Sequence, residues 1–215
     1  MSLKTGALIF DLDGTLWDAS ASCAMAWNKA LEKAGINHFH ITREMTYDFA
    51  GKLLDDIFSQ YFTFLQPGEY AAMASAYAKQ EAYHMKVFGG SIYPGVKAEL
   101  KSLRKRYPLY IVSNCLAGYI ENFLELHDLG SLFCDFECSG VTGKPKAENI
   151  KALMARNNLY DAVYIGDTAG DADAAQRNHI PFIYASYGFG KVLASDHIIH
   201  DFKELKMLLD HSLSA

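Results

Sequence analysis

The sequence predicts an α/β protein: a parallel sheet covered by helices on both faces, interrupted after its first strand by an all-helical insert. Three observations carry this. Short, continuous apolar runs recur at Ala7–Phe10, Leu109–Val112, Ala162–Ile165 and Pro181–Tyr184. Continuous rather than alternating runs mark strands buried on both faces. Segments with helical spacing lie between the later runs, the alternation that builds parallel sheets. From about Ala19 to Lys86, by contrast, Ala, Met, Leu and aromatic residues recur at helical spacing without strand-like alternation.

In chain order, Ala7–Phe10 is the first strand. Ala26, Ala30, Leu31 and Ala34 share one face of a helix that Gly35 stops. Leu53, Leu54, Ile57, Phe58 and Tyr61 form a second apolar stripe, Pro67-Gly68 a turn, and Glu69 to Met85 a third helix. After Gly89-Gly90 the texture changes. Pro94-Gly95 opens a helix to about Arg106, followed by the strand Leu109–Val112, a helix over Tyr119–His127 and a short strand from Leu132-Phe133 to Glu137. A helix over Ala147–Arg156, the strand Ala162–Ile165, a helix over Asp171–Arg177, the strand Pro181–Tyr184 and a helix over Phe202–Leu209 complete the series. The expected division is a core of residues 1–17 and 88–215 and a helical cap of residues 18–87.

Composition narrows the function. The 215 residues carry a net charge of −5, with no basic tract and no aromatic-interleaved basic stripe, so nucleic acid is not expected as a partner. No apolar run reaches membrane-spanning length and no leader pattern precedes Asp11, so a cytoplasmic location without a membrane partner is expected. Cys23, Cys115, Cys134 and Cys138 lack zinc-site spacing and read as reduced thiols. The oligomeric state is not legible.

The chemical signal lies at the strand ends. The first strand ends in Asp11, within Phe10-Asp11-Leu12-Asp13-Gly14-Thr15; Leu109–Val112 ends in Ser113-Asn114; Val163-Tyr164-Ile165-Gly166 ends in Asp167, with Asp171 four residues on. Ligands of open parallel sheets bind outside the carboxyl ends of the strands. Asp11, Asp13, Asp167 and Asp171 thus converge, and a hard divalent cation such as Mg²⁺ offsets their repulsion. Lys144, in Thr142-Gly143-Lys144-Pro145-Lys146, adds a positive charge. Such a site suits a phosphoryl group, with the Ser113 hydroxyl and backbone N–H groups as donors.

Together, DLDGT at 11–15, SN at 113–114, GKPK at 143–146 and GDTAGD at 166–171 resemble, in order, the four motifs of the haloacid dehalogenase superfamily. The helical insert after the first motif resembles the C1-type cap of the phosphoglycolate phosphatase and β-phosphoglucomutase branch. The resemblance implies a Rossmann-like core and Mg²⁺-dependent phosphoryl transfer. It implies that Asp11 is the nucleophile, forming an aspartyl-phosphate, and Asp13 the general acid and base. It also implies that Asp11, the Asp13 backbone carbonyl, Asp167 and Asp171 hold the metal, and that Ser113, Lys144 and Asn114 hold the phosphoryl group. Dehalogenases of this fold lack an acid at the position of Asp13, so its presence favours phosphate esters. The reading is a phosphatase of a small phosphorylated metabolite. A sugar phosphomutase is the alternative, and a non-catalytic phosphate-binding protein the third reading.

Several residues have structural reasons of their own. Asp18 is placed as the N-cap of the first insert helix, and Asp171 has a capping reason as well as a chemical one. Asp173 and Lys146 read as solvated surface residues. Trp17 and Trp27 are candidates for the substrate mouth with a competing place in the core. Lys52 and Arg43 are candidate substrate-facing cations of the cap. His38, His40, His197 and His200 read as exposed loop residues.

Overall fold

In the computed structural model, residues 5–213 are described. Eight strands are present among them: β1 (Ala7–Phe10), β2 (Trp17–Asp18), β3 (Ser91–Ile92), β4 (Leu109–Ser113), β5 (Phe133–Cys138), β6 (Ala162–Gly166), β7 (Phe182–Ala185) and β8 (His197–Ile199). The helices are α1 (Ser20–Lys33), α2 (Arg43–Phe49), α3 (Leu54–Tyr61), α4 (Tyr70–Val87), α5 (Val96–Leu103), α6 (Tyr119–His127), α7 (Ser139–Thr142), α8 (Lys146–Arg156), α9 (Ala169–Arg177) and α10 (Glu204–Leu213).

Six strands form one parallel sheet in the order β5-β4-β1-β6-β7-β8. The continuous apolar runs follow from burial on both faces. Leu8 and Phe10 of β1, Leu109 and Ile111 of β4, and Val163 and Ile165 of β6 join one core, with α5, α6 and α10. Ala7 and Ile9, Tyr110 and Val112, and Ala162 and Tyr164 join the core on the other face, with α8 and α9. β1 is therefore central, and its end, with those of β4 and β6, opens onto one edge of the sheet.

The insert has its own hydrophobic cluster, built around the buried Trp27. Tyr77 stacks on that indole at 3.7 Å between ring centroids, and Phe49, Phe58 and Phe62 surround it. Where the chain enters and leaves the insert, β2 and β3 pair antiparallel, Trp17 opposite Ile92 and Asp18 opposite Ser91. Such two-residue strands carry no periodicity, so the ribbon is not foreseen by the sequence.

Three expectations are corrected. Trp17 does not reach a substrate mouth: it is fully buried in the sheet core, edge-on to Tyr119 and Phe123. Asp18 is not the N-cap of α1, which is Ala19. Its carboxylate instead accepts the Ser20 N–H at 3.0 Å from two residues upstream. Lys146 is not a surface residue, as the site shows.

Candidate active site

Asp11 extends the β1 pairing, its N–H donating to the Ile165 carbonyl at 2.8 Å. The chain then turns sharply. The Leu16 N–H donates to the Leu12 carbonyl at 2.9 Å, and the Gly14 N–H to that of Trp17 at 2.9 Å. Gly14 has φ +80°, and a Cβ there would lie 2.2 Å from Asp167 Oδ2. Only glycine allows this turn to close on β6. Across the gap, Asp167 accepts the Phe189 N–H at 2.7 Å and the Thr15 hydroxyl at 3.3 Å.

Carboxylate oxygens of Asp11, Asp167 and Asp171 lie within 4.8 Å of one another, and all three residues are buried. The cation among them is Lys146. Its Nζ donates to Asp11 Oδ1 at 2.8 Å and to Asp171 Oδ1 at 2.5 Å, and its side chain is 4 % exposed. Lys144 is exposed, so the lysine that the structure brings to the carboxylates is Lys146 and not the expected Lys144. Local geometry explains the exchange. Pro145 is the N-cap of α8 with extended backbone, so Lys146 is the first helical residue. Side chains of a helix lean towards its N-terminus, which here directs Lys146 at the sheet edge. Lys144 stays in the turn, where its carbonyl accepts from Asn149 Nδ2 at 3.0 Å. The Pro-Lys step was the sequence signal that could have separated the two.

Asp171 has two tasks. Its Oδ2 accepts the Thr168 N–H at 2.9 Å and the Asp167 N–H at 3.1 Å, while Thr168 Oγ1 accepts the Asp171 N–H. This is a capping box at the start of α9. Its other oxygen faces Lys146, so the helix cap is also a member of the carboxylate cluster.

Charge is unbalanced. Three carboxylates face one ammonium. Burial, then Asp171, pushes the Asp11 carboxyl up to about 6 against the pull of Lys146. Burial, then the Asp171 and Asp11 carboxylates, hold Asp167 well above the usual carboxylate range. Burial pulls Lys146 down, but Asp11 and Asp171 more than offset it and hold the ammonium above its ordinary value. Hard oxygen donors with two uncompensated negative charges suit Mg²⁺. Asp11, Asp167 and the Asp13 carbonyl would hold it, with Asp171 beside them in the same cluster.

Asp13 is half-buried beside the cluster, and burial pushes its carboxyl up to about 7. Its Oδ1 accepts the Tyr119 hydroxyl at 2.8 Å, a partner the sequence did not reveal. Ser113, buried at the end of β4, lines the same cavity as Asp13. Asn114 also lines it, but its amide is engaged: Nδ2 donates to the Gly51 carbonyl at 2.7 Å and Oδ1 accepts the Ser139 hydroxyl at 2.6 Å. Asn114 thus joins the sheet edge to the insert, and its amide keeps a second N–H donor beyond that bond.

The cavity measures about 90 Å³ and is walled on the insert side by Trp27, Phe49, Leu54, Ile57 and Tyr77. It is closed on one flank by Phe189, which stacks on Tyr47 at 4.6 Å. Lys52 lines it and is held by neutral partners, Gln60 Oε1 at 3.0 Å and the Tyr61 hydroxyl at 3.1 Å. Arg43 pairs with Asp18 at 2.7 Å and is not among the lining residues, so its expected place facing a substrate is corrected. Glu81, absent from the sequence reading, is buried in the wall, and burial pushes it up to about 8. Of the aromatic candidates for the mouth, Trp27 lines the cavity. Asp173 is exposed, as are His38, His40 and His200, while His197 is half-buried.

The sequence pattern of haloacid dehalogenase-like hydrolases matches residues 8–185. The chain belongs to this family. A phosphoglycolate phosphatase of Rhodobacter capsulatus is 28% identical over 216 residues, covering 95% of this chain and 96% of the relative. One from Aquifex aeolicus is 26% identical over 197 residues, 86% of each chain. Among solved structures, a predicted phosphatase from Clostridium acetobutylicum superposes with a TM-score of 0.84 at 26% identity, covering 96% of this chain and 99% of that one. The α/β core with its helical insert and the assignment to a hydrolase family therefore stand. No helix among the described residues is long and apolar enough to cross a membrane.

Proposed function

We propose that the protein is a Mg²⁺-dependent phosphatase of small phosphomonoesters, working through an aspartyl-phosphate on Asp11, with residues 18–87 as its cap. The observation that carries this is the buried Asp11–Lys146–Asp171 ion cluster beside Asp167, at the sheet edge and next to a small, largely apolar cavity. Lys146 restrains Asp11 and adds positive charge where phosphoryl oxygens gather. An Asp11 oxygen attacks phosphorus, the P–O bond to the alcohol breaks, and the leaving oxygen takes a proton from Asp13. Asp13, now a carboxylate, then takes a proton from the water that hydrolyses the acyl phosphate. Ser113 donates to the phosphoryl group. Bound Mg²⁺ supplies further neutralisation of phosphoryl charge.

The relatives named phosphoglycolate phosphatase make phosphoglycolate the first substrate to try. Lys52 suits such a substrate, since it is a cavity-lining cation whose side-chain partners are neutral. Of the cap cations Lys29, Lys33, Arg43, Lys52, Lys79 and Lys86, Lys52 alone lines the cavity, which gives a bis-phosphorylated sugar little to hold it. The phosphomutase reading is therefore not adopted.

The test is phosphate release from a panel of phosphoglycolate, sugar phosphates and nucleotides, with isomer formation followed in parallel. Release with Mg²⁺ that disappears with EDTA and in Asp11→Asn is expected. Isomer formation without net phosphate, or no turnover across the panel, would refute the proposal.

A further inference from the structure

We propose that Tyr119 is the positioning residue of the proton donor: its hydroxyl fixes one oxygen of Asp13 so that the other carries the proton to the leaving group. This rests on the phosphatase reading above.

Tyr119 stands at the start of α6, five residues beyond the Ser113-Asn114 strand end, on a different element from Asp13. Its hydroxyl donates to Asp13 Oδ1 at 2.8 Å. Asp13 is the one half-buried residue of an otherwise buried turn over 11–17, whereas Tyr119 is buried on the helix that faces it, so the tyrosine is the fixed partner. Its ring is fixed edge-on against Trp17, with centroids 5.5 Å apart at 81°. The Cys23 sulfur of α1, 3.6 Å from the phenol oxygen, holds it from the insert side. Tyr119 and Asp13 both line the cavity, so the bond lies at its wall.

The chemistry follows from which oxygen is occupied. A phenol that donates to Oδ1 makes that oxygen an acceptor and leaves the acid proton on Oδ2. As the P–O bond breaks, its electron pair goes to the alcohol oxygen, which takes the Oδ2 proton; Asp13 becomes a carboxylate and the Tyr119 bond to Oδ1 persists. The phenol keeps its own proton throughout. Without the hydroxyl, the Asp13 carboxyl loses its 2.8 Å bond, and the fraction of its conformers that present a proton to the leaving oxygen falls. A group held by a defined hydrogen bond is productive more of the time than one that swings. General acid catalysis is worth about 10²–10⁴ in rate, and loss of orientation removes part of that.

Leaving groups separate this role from a structural one. A nitrophenolate departs without a proton, while an alkoxide needs one. Tyr119→Phe keeps the ring and removes the hydroxyl. It should lower kcat/KM, which reports the steps up to formation of the aspartyl-phosphate and not its hydrolysis, for the best alkyl phosphate of the panel by about tenfold, yet lower that for p-nitrophenyl phosphate by less than about threefold. Asp13→Asn should show the same selectivity more strongly, and Tyr119→Phe added to Asp13→Asn should cause no further loss, because both act through one group. Equal losses on the two esters, no loss on either, or additive losses in the double variant would overturn the assignment while leaving the phosphatase reading intact. A wild-type protein that hydrolyses neither ester would sink both together. Thermal unfolding of each variant checks that the fold is retained, and Tyr119→Leu, which also removes the ring, should fall on both esters because it disturbs the packing against Trp17.

Discussion

Replacing Lys146 by Met tests the site at its most charged point. The methionine keeps an apolar stem of similar length, so the change removes charge more than packing. Nζ lies 2.8 Å from Asp11 and 2.5 Å from Asp171, both buried. At an effective dielectric of about 20, a contact at 2.8 Å is worth roughly 6 kcal/mol before desolvation. Burying the ammonium offsets much of that. Breaking a buried ion pair from one side still costs about 3–5 kcal/mol, because the carboxylates are left without a counter-charge. The variant should therefore unfold at lower urea, by about 3–5 kcal/mol at pH 8 in EDTA. The pH dependence has a definite sign. Asp11 and Asp167 already sit above their unfolded values, and losing Lys146 raises them further. Carboxyls raised in the fold favour the native state most at low pH and progressively less as pH climbs towards their folded values. The deficit should shrink towards zero at pH 4–5 and reach its full size by pH 8. Lys144→Met, at an exposed position, should stay within about 0.5 kcal/mol of wild type throughout. A Lys146→Met protein within about 1 kcal/mol of wild type at pH 8, or a Lys144→Met protein equally damaged, would refute the reasoning.

Gly14→Ala places a Cβ 2.2 Å from Asp167 Oδ2 at φ +80°, so stability should fall by at least about 2 kcal/mol and phosphate release should collapse; a thermal melt and the phosphate assay read both. Glu81 is held protonated by burial up to about 8, against 4.5 for the ordinary group. Its contribution is greatest below pH 4.5 and is lost as pH rises to about 8. Glu81→Gln should therefore lose less stability than wild type between pH 5 and 8, by up to a few kcal/mol in denaturant titrations. Parallel curves for the two proteins would count against a neutral Glu81.

Much of this was legible in the sequence because long periodic segments declare themselves. The helical spacing of Tyr119–His127 predicts the ends that helix has in the structure, and the strand ends at Asp11, Ser113 and Asp167 follow from continuous apolar runs. What stayed hidden was short or depended on direction. α2 has seven residues, with Thr46 and Phe49 buried, too few to set a period. β8 is an edge strand with Ile199 buried and Ile198 exposed, so it lacks the apolar run that marks its neighbours. GKPK contains two lysines, and which enters the site turns on a one-residue question, where α8 begins. Asn114 was visible as a polar residue at a strand end, but its engagement with Gly51 depends on a contact 63 residues away in sequence.

The divided carboxylate of Asp171 has a consequence for how this chain tolerates change. One of its oxygens starts a helix and the other holds the lysine that steadies Asp11. The spacing from Asp167 to Asp171 is thereby set by helix geometry and by the ion cluster at once. One residue added between them would swing Asp171 about 100° around the helix axis and undo both. Length variation is thus shut out of the 166–171 turn, and drift is left to exposed positions such as Lys33 and Lys79 of the insert, outside the ion cluster.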